Sequence, residues 1–139
     1  MSTEQNKSIV RRWIEIGWNQ GNLAVADEIY APNFVQHDLP VGDDREALKN
    51  FVGEFRTGLP DLHVAVDDLI AEEDKVVGRF GLTGTQRGVF MGIPATGKTA
   101  SMSATVIFRF ANSKIVEAWV NFDALGMMQQ LGAIPAMSA

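Results

Sequence analysis

The stretch Thr99–Phe122, TASMSATVIFRFANSKIVEAWVNF, decides how this chain folds. Asn112-Ser113 stands between two runs rich in β-branched and aromatic residues, the signature of a hairpin with a two-residue turn. The spacing predicts a long strand over 99–111 and an antiparallel partner over 114–122. With that turn, Ala111 opposes Lys114, Phe110 opposes Ile115 and Phe108 opposes Glu117. Val106 then opposes Trp119, Ala104 opposes Asn121, and Met102 opposes Asp123. Opposed residues share one face of a sheet. One face is therefore expected to carry Met102, Ala104, Val106, Phe108 and Phe110 with Ile115, Glu117, Trp119, Asn121 and Asp123. The other takes Thr105, Ile107 and Arg109 with Val116, Ala118, Val120 and Phe122. A one-residue bulge would reverse the second strand.

Two more strands precede this hairpin. Leu62–Ile70 alternates, Glu72-Glu73-Asp74 is a charged turn, and Lys75–Thr85 follows. Arg87–Gly97 holds three glycines and Pro94 and reads as a loop. The N-terminal part is helical. Ser2 and Thr3 cap a helix from about Glu4, with Ile9, Trp13 and Ile16 at helical spacing, and Gly21-Asn22 ends it. A short helix over Leu23–Tyr30 is stopped by Pro32, Asn33–Asp38 reads as extended, and Pro40–Asp44 as a turn. A third helix spans Arg45 to about Thr57, and Gly126–Leu131 makes a last helical turn. Helices followed by a meander of strands give an α+β fold, expected as a single domain over 1–139. A curved antiparallel sheet, partly covered by about three N-terminal helices, would enclose a pocket.

Composition bounds the function. The chain has 139 residues and a net charge of −5, so nucleic acid and anionic membrane surfaces are poor partners. It has no cysteine, which removes disulfides, thiolate metal sites and a thiol nucleophile and fits a cytoplasmic setting. No apolar run is long enough for a membrane span. The two histidines, His37 and His63, lack metal-ligand spacing, and no metal is expected. The glycines of 88–97 with Lys98 lack phosphate-loop spacing.

The expected pocket face carries the candidate site. A carboxylate at Asp123 among apolar neighbours would lose hydration, and its pKa would rise, which suits a general acid or base. Met102, Ala104, Val106 and Phe108 would line the wall, Trp119 would stack on a flat ring, and Asn121 would orient a ligand oxygen. His37 is a candidate to hold a carbonyl or relay a proton, and Gln86 to hydrogen-bond at the pocket. Each has a plainer reading. Asp123 suits the N-cap of the last helix, His37 a surface loop, Gln86 a strand end, and Trp119 the core. Arg79 and Arg109 read as ion-pairing strand residues.

At Gly84-Thr85-Gln86, at Phe90–Lys98 (FMGIPATGK), and from Arg109-Phe110 through Lys114-Ile115-Val116-Glu117 and Asp123 to Gln130-Leu131-Gly132, the chain resembles the SnoaL-like polyketide cyclases of the NTF2-like superfamily. The likeness extends to the helix at Ile9-Val10-Arg11-Arg12. It implies a cone-shaped α+β barrel, a homodimer packed through its sheets, and chemistry without a cofactor. It also implies an aspartate, matched here by Asp123, acting as general acid/base in an intramolecular aldol closure of a polyketide ester. The histidine and glutamine that such cyclases carry on the long strand are replaced here by Val106 and Ala104, and many relatives have histidine at Gln86.

Two functions follow as expectations. One is a cofactor-free enzyme of the cyclase, isomerase or hydrolase type, moving a proton with Asp123 on a small apolar carbonyl compound. The other is a non-catalytic protein that binds a small apolar or aromatic ligand.

Overall fold

The computed structural model describes residues 2–39 and 42–135. Pro40 and Val41, in the expected 40–44 turn, lie outside the described residues.

The first helix, α1 (Thr3–Arg12), opens with a capping box between Ser2 and Gln5. It runs on as a π-helical segment, Trp13–Asn19. Gly17 is required there, because a Cβ would collide with the Trp13 ring. A 3-10 turn (Leu23–Val25) leads into the short α2 (Ala26–Ile29). The expected second helix thus ends one residue early, and Tyr30 already begins strand β1 (Tyr30–His37). Pro32 sits comfortably in this strand because β1 is a sheet edge, where a missing N–H breaks no ladder. Helix α3 (Arg45–Gly58) is capped by Asp44, whose carboxylate accepts from the Ala47 N–H at 2.8 Å. It buries Leu48, Val52 and Phe55.

Strands β2 (His63–Glu72), β3 (Lys75–Thr85), β4 (Thr99–Ala111) and β5 (Lys114–Phe122) form a meander. The sheet order is β1-β5-β4-β3-β2. Strand β1 runs parallel to β5, so the sheet is mixed rather than wholly antiparallel as expected. Helix α4 (Ala124–Gln130) follows β5. The helices cover the concave face of the curved sheet, and the core lies between them, from Val10 and Trp13 to Val76, Phe80 and Phe108.

The hairpin register corrects the sequence reading. Asn112 and Ser113 both have positive φ, 51° and 67°, as a type I′ turn requires. Ala111 pairs Lys114 and Phe110 pairs Ile115, as expected. The register then slips, and Arg109 pairs Glu117. Val116 is the extra residue of a β-bulge, and every later side chain of β5 changes face. Phe108 pairs Ala118, Val106 pairs Val120, and Ala104 pairs Phe122. Glu117, Trp119 and Asn121 therefore lie on the outer face with Arg109, Ile107 and Thr105. Asp123 does not oppose Met102, because β5 ends at Phe122.

Candidate functional site

Between the helices and the concave face lies a cavity. Its floor is built by alternate residues of the last two strands: Met102, Ala104, Val106 and Phe108 from β4, and Ala118, Val120 and Phe122 from β5. Phe80 and Leu82 extend it along β3, and Val64 along β2. Trp13, Ile14, Trp18, Leu48, Phe51 and Phe55 close it from the helical side, with Tyr30, Phe34, Gln36 and Leu39 along one flank. The space it encloses is about 60 Å³. So small a space favours a compact guest over a multi-ring chain.

The aromatic lining is interlocked edge to face. Trp18 meets Phe51 and Phe55 at centroid distances of 6.2 and 5.4 Å, and Phe51 meets Phe122 at 5.8 Å. Trp13 meets Tyr30 at 5.1 Å. Such pairs favour a rigid wall with both ring faces and ring edges on offer. Burial pushes the Tyr30 phenol well above its usual pKa, so it stays protonated and neutral.

One lining residue is a fully polar side chain. Gln36 points inward because β1 is registered so that Gln36 pairs Ala118 while Val35 and His37 pair the outward Glu117 and Trp119. It is 3% exposed. Its Nε2 donates to the Gly42 carbonyl at 3.0 Å, while Oε1 is buried without a partner among the described residues.

The residues singled out from the sequence do not gather into one site. Met102, Ala104, Val106 and Phe108 line the cavity. Trp119 and Asn121 do not, because the bulge at Val116 turns them outward. Asp123 is exposed and caps α4, with Oδ1 accepting from the Gly126 N–H at 2.9 Å. A carboxylate held at the water boundary has no dry pocket wall around it, so the premise of a desolvated acid/base group at Asp123 is corrected. Gln86 is wholly buried but braces the 87–98 loop instead of reaching the cavity. Its Nε2 donates to the Ile93 carbonyl at 2.8 Å, and its Oε1 accepts from the Thr96 hydroxyl at 2.7 Å. His63 is exposed.

His37 belongs to a cluster on the outer face. Its Nε2 lies 2.8 Å from Glu117 Oε2, and its ring stacks on Trp119 at 5.3 Å and 21°. Arg109 Nε donates to the other carboxylate oxygen, also at 2.8 Å. The hydrogen bond from Arg109, and then that from His37, hold Glu117 below the usual carboxylate range. His37 is level with Trp119, four residues before Asp123. Asp123 lies beyond the end of β5 and shares no contact with the His37 cluster among the hydrogen bonds and ion pairs of the described residues.

Gln36, Tyr30, Trp13 and Trp18 were missed as pocket residues. The alternation Phe34-x-Gln36 carried the signal for Gln36, but choosing its face needed the parallel pairing of β1 with β5. No group of three or more His, Cys, Asp or Glu residues is placed to hold a metal among the described residues, and none of their helices is long and apolar enough to cross a membrane.

Comparison with known proteins agrees with this architecture. TsrD from Streptomyces laurentii superposes with a TM-score of 0.88 at 26% identity, over 96% of this chain and 99% of that one. AclR from Streptomyces galilaeus, a proposed hydroxylase, superposes with a TM-score of 0.88 at 25% identity, over 99% and 87%. A proposed SnoaL-like polyketide cyclase from Jannaschia sp. CCS1 gives 0.84 at 29% identity, over 96% and 95%. No curated protein is significantly similar in sequence. The family model of the SnoaL-like polyketide cyclases matches residues 8–131. With the cone of curved sheet and helices in place and nearly the whole chain matched, this protein belongs to the SnoaL-like polyketide cyclase family.

Proposed function

We propose that this member of the family binds a compact, mainly apolar aromatic molecule in the cavity. The observation that carries the reading is the composition of the wall. Its lining is aliphatic and aromatic, with Gln36 and the Tyr30 phenol as polar groups. Small-molecule sites have this character: an apolar enclosure with very few polar groups that fix orientation. A cyclase-type proton transfer needs an acid or base within hydrogen-bond reach of the ligand. Neither Asp123 nor His37 is part of the lining, which favours binding over acid–base turnover by those two residues. The test is calorimetric titration with p-xylene and p-cresol. One saturable site per chain is expected, and the absence of saturable binding would overturn the reading.

We further propose that the outer sheet face packs against a second copy of the chain. Ile70, Val77, Ile107 and Trp119 sit in one row across β2, β3, β4 and β5, and Ile70 is 67% exposed. Light scattering after gel filtration is expected to give the mass of a dimer, and Trp119→Arg that of a monomer. A monomeric parent protein contradicts this.

A further inference from the structure

Resting on the binding role proposed for the cavity, we infer that Gln36 makes it selective for ligands that carry a hydrogen-bond donor, a phenol or enol hydroxyl or a ring N–H, over hydrocarbons and over ligands that offer acceptors alone. The orientation of the amide is fixed from outside the cavity. Its Nε2 is spent on the Gly42 carbonyl at 3.0 Å, and the Gln36 backbone N–H donates to the Asp43 carbonyl at 2.8 Å. Turning the amide over would set Oε1 against the Gly42 carbonyl, two acceptors facing each other. Oε1 is thus the free end, buried and without a partner among the described residues.

A buried acceptor left without a partner is costly, and the protein bears that cost before any ligand arrives. A ligand donor that reaches Oε1 recovers it. A hydrocarbon leaves it standing, and a ketone, ether or ester oxygen brings a second acceptor to the first. An apolar wall alone would rank ligands in the opposite order, because burying an unmatched hydroxyl is unfavourable. The Tyr30 phenol can both donate and accept and so favours neither kind of ligand, and the preference for a donor comes from Gln36, whose free atom only accepts.

The probes are p-cresol, p-xylene and 4-methylanisole, which share the ring and differ in carrying a hydroxyl, a methyl or an ether. In calorimetric titration the parent protein is expected to bind p-cresol at least as tightly as p-xylene and several-fold tighter than 4-methylanisole. Gln36→Met keeps the length of the side chain and removes the acceptor. It is expected to lower the affinity for p-cresol relative to p-xylene by about five- to tenfold, the scale of one net hydrogen bond. Equal binding of 4-methylanisole and p-cresol to the parent protein would overturn the inference, as would an undiminished p-cresol preference in the variant. Should the variant not fold, the ranking on the parent protein decides alone. Failure of all three probes to bind the parent protein would overturn the cavity's binding role itself, a result distinct from binding without preference.

Discussion

Replacing Val120 or its neighbour Asn121 with aspartate tests the bulge, and with it the composition of the cavity wall. Val120 lines the cavity and is half-buried, whereas Asn121 is exposed on the outer face. In Val120→Asp the lost apolar burial costs about 1–2 kcal/mol, discounting full burial of a valine for its partial exposure. The new carboxyl must also ionise in an apolar wall or take up a proton. Holding it protonated at pH 7 against an ordinary value near 3.9 costs at most about 4 kcal/mol, at 1.36 kcal/mol per pH unit. Incomplete burial reduces that ceiling, so a total loss of about 3–5 kcal/mol is expected at pH 7. The raised folded-state pKa sets the sign. The ionisation penalty is absent below the unfolded value and grows as pH rises through the interval up to the folded one. At pH 4 only the loss of about 1–2 kcal/mol should remain. Asn121→Asp should change stability by no more than ~0.5 kcal/mol at either pH. Urea denaturation at pH 7 and pH 4 measures both variants. A pH-dependent loss in Asn121→Asp that exceeds the loss in Val120→Asp would mean that β5 has no bulge and would refute the reasoning.

Three further outcomes are expected. Glu117 stabilises the fold while ionised, because Arg109 and His37 hold its pKa below the ordinary 4.5, so its contribution is complete above that value and drains away as pH falls below it. Glu117→Gln should flatten the acid side of the stability–pH profile, and an unchanged profile would show that the cluster contributes nothing. Gln86→Ala should cost about 2–4 kcal/mol in urea denaturation by stripping the Ile93 carbonyl and Thr96 hydroxyl of their partners, with faster hydrogen exchange at the Ile93 and Gly97 amides. Asp123→Ala should cost about 0.5–2 kcal/mol through the lost cap of α4 while leaving p-cresol affinity within about twofold, and a tenfold loss of affinity would restore Asp123 to the site.

Much of the fold could be read from the residues. The bounds of β3, β4 and β5 follow from alternation between strong turn formers, and Asn112 takes the left-handed conformation its residue type favours, with Ser113 following it. The wall residues Met102, Ala104, Val106 and Phe108 were legible because β4 is regular. The far side of the hairpin was not. A bulge leaves no mark in a run such as Ile115-Val116-Glu117, where either register buries a β-branched residue. Its position decides the face of Trp119 and Asn121. Asp123 illustrates a different limit, since the residue type that serves as an acid or base is also a favoured helix cap, and only exposure separates the two. Gln36 was hidden by long-range pairing, because its inward face is set by β5, some eighty residues away in the chain.

The three tryptophans allow the most direct test of the central claim. Trp13 and Trp18 line the cavity, and Trp119 lies outside it against His37. The indole N–H signals of a ¹⁵N-labelled sample should be followed while p-cresol is added. The cavity as a ligand site predicts saturable shifts at Trp13 and Trp18 with Trp119 unmoved. Shifts confined to Trp119, or none at any of the three at saturating p-cresol, would contradict it.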